Sequence, residues 1–173
     1  MSVENFKKII EEKIGKHKAK MVIIKSLLEY GIRINEDGYY CIGPFKLHDS
    51  SIAKALNIDR RVVRETANVI AKDQYLRKFF INLTPVCSMK NVCGILGFSA
   101  LVITVENPKK SGIVSNVAGL ISKYGLNIRQ IFADDPELFD DPKLTIVIEG
   151  NVPGDFLSEL NKNEEIKTIT LFK

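Results

Sequence analysis

The feature that most constrains the fold is the alternation of strand-like and helix-like segments between Ser99 and Phe172. Four segments carry β-branched and apolar residues typical of strands: "SALVITVEN", "LNIRQIFA", "KLTIVIEG" and "IKTITLF". Two others, "IVSNVAGLISKYG" and "VPGDFLSELNKN", carry apolar residues at helical spacing. The order β-α-β-β-α-β predicts a ferredoxin-like α+β domain, an antiparallel four-stranded sheet with both helices on one face. Its other face needs cover, so we expect a homodimer or a higher oligomer.

The first half of the chain has mainly helical patterns. Apolar residues at helical spacing predict helices over 3–15 and 18–31. The Asp37–Gly38 pair predicts a hairpin with strands near 32–35 and 39–42. The stretch "RKFFINLTP", residues 77–85, reads as a further strand beside that hairpin.

A short helix and a longer second helix between these strands form the pattern of a helix-turn-helix. Asp49 or Ser50 is expected to cap the first helix, and Asp59 the second, with the tight turn "NID" between them. The hairpin and the strand predicted at 77–85 favour a winged-helix-like variant. Its hairpin precedes the helix pair, which differs from the usual order of a wing.

The second helix of this pair carries the residues that would bind DNA. Arg60, Arg64 and Asn68 recur at i, i+4 and i+8 and share one face, and Arg61 lies beside them. Arginine can bridge guanine acceptors and asparagine can pair with adenine, while Ser50 can contact a phosphate. The alternative is a helical module whose charged face is simply solvated.

The domain boundaries follow from these patterns. We expect a helix-turn-helix domain over 1–82, a connector with one short helix over 83–98, and the ferredoxin-like domain over 99–173. Residues 1–80 hold 16 Lys and Arg against 10 Asp and Glu, whereas residues 81–173 hold 9 against 11. A basic front half and a mildly acidic back half suggest different partners.

The sequence offers little support for an enzyme. The three cysteines lack metal-site spacing, no Ser/His/Asp set or phosphate-binding loop is present, and the two histidines are His17 and His48. The acids of "DDPELFDD" (Asp134, Asp135, Glu137, Asp140 and Asp141) read as a solvated tip and lack calcium-loop spacing. We therefore expect no catalytic residues, no metal and no cofactor. The charged N-terminus and the shortness of the uncharged runs predict a cytoplasmic protein that contacts no membrane.

The stretch "GIVSNVAGLISKYGLNI" resembles the ACT-domain pattern, and the resemblance covers residues 99–173. With a helix-turn-helix ahead of it, the chain resembles archaeal proteins predicted to regulate amino-acid metabolism. The resemblance implies regulatory binding of an amino acid or a similar metabolite, commonly across a dimer interface. In that pattern the "EN" before the loop and the "NI" after the helix correspond to Asn107 and to Asn127 and Ile128.

The chemistry of an amino acid suits this segment. Its carboxylate fits the exposed amides at the helix start, around Ser111, Gly112 and Ile113. Its ammonium group needs oxygen ligands, which Asn107 and Asn127 could supply. The chain departs from the family pattern at Ser111, where a proline is usual, and in a longer loop. Two lysines in that loop, at 109 and 110, either favour a more acidic ligand or are solvated.

Three hypotheses remain, of which the weakest is an enzyme whose site lies in the helical half. The first is a dimeric, amino-acid-responsive transcriptional regulator that binds DNA. The second is a non-catalytic regulatory subunit that docks on an amino-acid biosynthetic enzyme.

Overall fold

The computed structural model of the chain describes residues 3–15 and 17–173. Within them the fold is a mixed α+β structure with two antiparallel sheets, which confirms the predicted class. The chain divides into two units, one ending at Cys87 and the other beginning at Ser88. No helix in the described ranges is both long and apolar enough to cross a membrane.

In its described residues the first unit has five helices and a small sheet of three short strands in the order β1-β2-β3. Their bounds are α1 Val3–Ile14, α2 Lys18–Tyr30, β1 Arg33–Ile34, β2 Tyr40–Ile42, β3 Phe45–Lys46, α3 Asp49–Leu56, α4 Arg60–Lys72 and α5 Gln74–Phe80.

Apolar residues of α2, α4 and α5 form buried faces in the first unit. Ile23 and Leu27 of α2, Val63 and Ile70 of α4, and Phe80 of α5 are almost completely buried. Helical spacing puts each pair on one side of its helix, so the pattern visible in the sequence is the face that packs.

Asp59 caps α4 as predicted, since its carboxylate accepts a hydrogen bond from the Arg61 amide at 2.7 Å. The predicted cap of α3 is wrong. The cap position is His48, which makes no side-chain cap bond, and Asp49 is the first helical residue and is buried.

The predicted strand at residues 77–85 is also wrong, because α5 occupies Gln74–Phe80. Asp73 begins this helix by accepting hydrogen bonds from the amides of Tyr75 and Leu76 at 3.0 and 2.9 Å. Phe79 then packs on Phe6 of α1, with ring centroids 4.0 Å apart. Burial of this aromatic cluster outweighs the strand propensity of the local sequence.

The second unit contains the elements that the strand and helix patterns predicted. Two short 3-10 turns, Lys90–Val92 and Gly94–Leu96, take the place of the single connector helix. They precede β4 Phe98–Val105, α6 Ile113–Lys123, β5 Ile128–Ala133, β6 Leu144–Glu149, α7 Gly154–Asn161 and β7 Ile166–Phe172. The strand order is β5-β6-β4-β7, and all neighbours are antiparallel.

The two faces of this sheet are covered differently. On one face, Leu101, Ile103 and Ile146 pack with Val117 of α6 and Phe156 of α7. On the other, a small cluster joins Cys93, Ala100 and Val147, with Met89, Phe98 and Phe172 packed against it. The segment that holds the 3-10 turns therefore covers part of the face that the sequence left open for a second copy.

Candidate ligand pocket and candidate nucleic-acid interface

A candidate ligand site is a cavity of about 560 Å³ at the start of α6, which we call the α6 pocket. Its floor is apolar and comes from strands and helix alike. The residues on it are Ile103, Val105, Ile113, Ala118, Ala133 and Leu144. A cavity of this size with an apolar floor and a few polar groups at its rim is typical of small-molecule sites.

The polar groups at one end belong to the start of α6. Gly112 precedes the helix with φ of 93°, a backbone conformation that favours glycine, and no side chain caps the helix. The amides of Ile113 and the next two residues have no partners within the helix, because the first turn never does. The Ser115 hydroxyl donates to the Gly112 carbonyl at 2.8 Å. This end of the pocket suits a carboxylate.

The loop before α6 is held by the chain itself. Asn107 accepts a hydrogen bond from the Lys109 amide through its side chain and from the Lys110 amide through its carbonyl, both at 3.1 Å. Lys109 forms an ion pair with Glu137, and Lys110 forms one with Glu165. The two lysines therefore anchor the loop rather than stand as unpaired cations.

Asp134 also lines the α6 pocket. Its carboxylate accepts from the Lys143 amide at 3.1 Å, and its own amide donates to the Lys143 carbonyl at 2.9 Å. Sequence reasoning missed this residue by grouping it with the acids of the tip. The missed signal was topological: β4 and β5 both pair antiparallel with β6, so they run in the same direction and end at the same edge.

The predicted ligand residues divide between two ends of the sheet. Ser111, Gly112 and Ile113 line the α6 pocket. Ile128 pairs with Ile148, which pairs with Ser99 at the start of β4. Asn127 therefore lies at the opposite end from the pocket, and its carbonyl accepts from the Glu149 amide at 2.9 Å. One chain does not bring Asn107 and Asn127 together.

The acidic tip forms turns. Asp135 accepts hydrogen bonds from the amides of Glu137 and Leu138 at 2.8 and 3.2 Å. In the described residues no group of three or more His, Cys, Asp or Glu is placed to hold a metal ion.

The candidate nucleic-acid interface is the start of α4. Arg60, Arg61, Asn68 and Ser50 are exposed, in agreement with an outward-facing surface. Arg64 differs, because its Nε donates to Asp49 at 2.7 Å and its Nη1 donates to the Gly38 carbonyl at 3.2 Å. It therefore joins α4 to α3 and to the turn before β2.

Beside this surface lies the buried Tyr40, whose hydroxyl donates to the Val63 carbonyl at 2.7 Å. Burial, with a smaller contribution from the Asp49 charge, raises the pKa of the Tyr40 phenol far above its usual range. Tyr40 is therefore a neutral structural residue that fixes β2 against α4.

An apolar groove of about 260 Å³ lies on the first unit between α2 and α3. It is lined by Tyr30, Ile32, Leu47, Ala55 and Leu56 among others, and the Tyr30 side chain is 55% exposed. Grooves of this kind accept apolar side chains of a partner.

Comparisons with known proteins add little. No protein-family model and no curated protein matches the chain. One solved structure similar to it is titled "Crystal structure of PH0061", from an archaeal protein; it is 14% identical and covers 90% of this chain and 89% of that chain. The TM-score is 0.27.

Proposed function

We propose that this chain is an amino-acid-responsive regulatory protein that binds DNA through its first unit and senses a small amino acid in its second. The observation that carries the proposal is the α6 pocket, where an uncapped helix start and an acidic side chain stand at the rim of an apolar cavity. The ferredoxin-like order of the second unit agrees with the ACT resemblance.

A zwitterion with an apolar side chain matches this pocket. Its carboxylate would accept hydrogen bonds from the amides around Gly112 and Ile113. Its ammonium group would contact Asp134, which replaces the two asparagines as the oxygen ligand within one chain. Asn127 and Ile128 belong to the site only where a second copy brings its own β5 to the pocket, which is how a ligand would bind across a dimer interface.

A thermal-shift screen of the amino acids tests the sensor. A ligand at 100 times its dissociation constant should stabilise the protein by about 2.7 kcal/mol. Asp134→Asn should weaken binding at least tenfold, while Asp155→Asn, the same change at an exposed residue of α7 that does not line the pocket, should leave it unaltered. If no amino acid raises the melting temperature, the sensor proposal is overturned.

DNA binding is supported by the exposed cluster at the start of α4. Side chains at the start of a recognition helix reach base edges, and Arg60 and Arg61 are exposed there. Asn68 is exposed farther along α4. A gel-retardation assay on genomic fragments tests this. Affinity should fall steeply between low and moderate salt, because cations that neutralise phosphates release counterions. Absence of retardation at low salt would contradict the proposal.

The alternative function is a regulatory subunit that docks on a biosynthetic enzyme, with the same pocket as sensor. The observation that favours it is the apolar groove between α2 and α3. Purification from the native source decides between the two functions. The subunit is supported if a biosynthetic enzyme co-purifies with the wild type but not with Tyr30→Asp, and if the protein does not bind DNA. In either case the chain itself is proposed to be non-catalytic and to act in the cytoplasm.

A further inference from the structure

A second, smaller cavity of about 130 Å³ opens on the first unit between β3 and the starts of α3 and α4. We call it the β3 basin. Its polar lining is Tyr39, Lys46, His48, Ser50, Arg60 and Arg64, with Asp49 as the acid. Its volume corresponds to about four water molecules. The basin is therefore large enough for one small, charged group.

The charges in the basin do not cancel. Asp49 is 95% buried at its side chain and is neutralised by Arg64, whose Nη2 lies 2.6 Å from the carboxylate. Lys46 and Arg60 remain, and among the described residues neither has a carboxylate within 4.0 Å. The basin thus carries two uncompensated cations, with the imidazole of His48 beside them.

Contacts within the first unit hold both cationic residues in place. The Lys46 ammonium lies over the Tyr39 ring, 3.1 Å from its centroid, which orients a side chain that is otherwise flexible. Arg60 is the first residue of α4, and the Asp59 cap fixes the backbone at this point. The α3 start adds partial positive charge at the same place, because His48 makes no side-chain cap bond.

We propose that the β3 basin binds a phosphate of a nucleic-acid backbone, contacted by Lys46 and Arg60. This inference rests on the DNA-binding function proposed above and changes its residue assignment. Arg64 becomes a positioning residue, because its guanidinium holds Asp49 and the Gly38 carbonyl. Lys46 and Arg60 become phosphate contacts, which set the register of the protein on the duplex without reading its sequence.

The test is a fluorescence-anisotropy titration of the full chain with two duplexes of unrelated sequence, from 50 to 200 mM salt. Lys46→Gln and Arg60→Gln should each weaken binding to both duplexes about 5- to 10-fold near 100 mM salt, and should make the logarithmic salt slope shallower by about 0.9. Lys162→Gln, which removes one exposed charge from the other unit, is the matched control.

Lys46→Arg keeps the charge and should retain binding, and melting temperatures verify that each variant folds. Arg60→Gln tests the site independently, because Arg60 is exposed and, within the described part of the chain, stacks on no aromatic ring.

Three outcomes are distinguishable. Weakening by both variants on both duplexes supports the basin. If the wild type binds and both variants behave as Lys162→Gln does, the proposed phosphate site in the basin is overturned while DNA binding stands. Binding of inorganic phosphate alone in the basin would not change that conclusion. If the wild type binds neither duplex at 50 mM salt, both the basin and the DNA-binding function are overturned.

Discussion

The Nε of Arg64 donates to one carboxylate oxygen of Asp49 at 2.7 Å, and the Nη2 of the same guanidinium lies 2.6 Å from that oxygen. The third nitrogen, Nη1, donates to the Gly38 carbonyl. Asp49 is 7% exposed, so its charge has little access to water and depends on Arg64 for compensation. One side chain thereby joins α3, α4 and the turn between β1 and β2.

Arg64→Ala should lower the free energy of unfolding by about 2–3 kcal/mol, because it leaves a buried carboxylate without its cation. The value is below that of a fully buried pair, since the Arg64 side chain is 38% exposed. Urea unfolding followed by tyrosine fluorescence measures it, as four of the five tyrosines precede Cys87. Arg61→Ala, an exposed neighbour, should change stability by less than about 0.5 kcal/mol. Equal losses in both variants would contradict this account.

The ion pair between Lys110 and Glu165 should behave differently. Both side chains are partly exposed, so water and salt screen their attraction. Glu165→Gln should therefore cost less than about 1 kcal/mol, and less again at 0.5 M salt. Chemical denaturation of the second unit at two salt concentrations checks this. A loss as large as that of Arg64→Ala would show that the loop before α6 depends on this pair.

Asp73 should stabilise α5 mainly as a cap. Asp73→Ala removes the acceptor for the amides of Tyr75 and Leu76 and should cost about 1–2 kcal/mol. Asp73→Asn keeps an acceptor and loses only the ion pair with Lys13, so it should cost less than about 1 kcal/mol. If both substitutions cost the same, the charge outweighs the cap.

The pH dependence of these variants follows from the Asp73 carboxyl. The Lys13 ammonium and then the Leu76 amide hold its pKa below the usual value. A lowered folded-state pKa adds stability that is present above the unfolded pKa and is lost as pH falls through the folded one. The difference between wild type and Asp73→Asn should therefore shrink below about pH 4. A difference that grows on acidification would contradict this sign.

Gly31 should tolerate alanine worse than Gly43 does. Both have positive φ, 60° and 52°, so alanine strains the backbone at each. At Gly31 a Cβ would lie 2.3 Å from the Thr84 carbonyl oxygen, whereas at Gly43 it would meet nothing within 4 Å. Gly43→Ala should cost about 1 kcal/mol and Gly31→Ala at least 2 kcal/mol more. Thermal melts of the two variants give the comparison, and equal costs would exclude the clash as a cause.

Local patterns predicted the elements whose own residues specify them. The second unit follows the strand and helix periodicities, since each apolar stripe, such as Val117 and Ile121 of α6, is the face that packs. The prediction of a strand at residues 77–85 failed because residues outside that segment, the Asp73 cap and Phe6 of α1, stabilise a helix there. A contact that is distant in sequence leaves no local periodicity to read.

The candidate site shows the same division. Ser111, Gly112 and Ile113 are adjacent in sequence, so the helix-start pattern was enough to place them together. Asp134 reaches them only because β4 and β5 end at the same edge of the sheet. Asn127 misses them because α6 carries the chain back to the other end before β5 begins. The engagement of Arg64 with Asp49 needs tertiary packing that helix spacing does not encode.

The position of β4 in the middle of its sheet affects how the second unit folds. Ala100 pairs with Phe172 on one side and with Val147 on the other, so both partners come from much later in the chain. The first unit instead pairs consecutive strands, β1 with β2 and β2 with β3. Closing long loops slows the search for native contacts, so the first unit should reach its native state ahead of the second. During that interval the β4 edges are open, and the conditions of refolding, more than the final stability, decide how much chain is lost to aggregation.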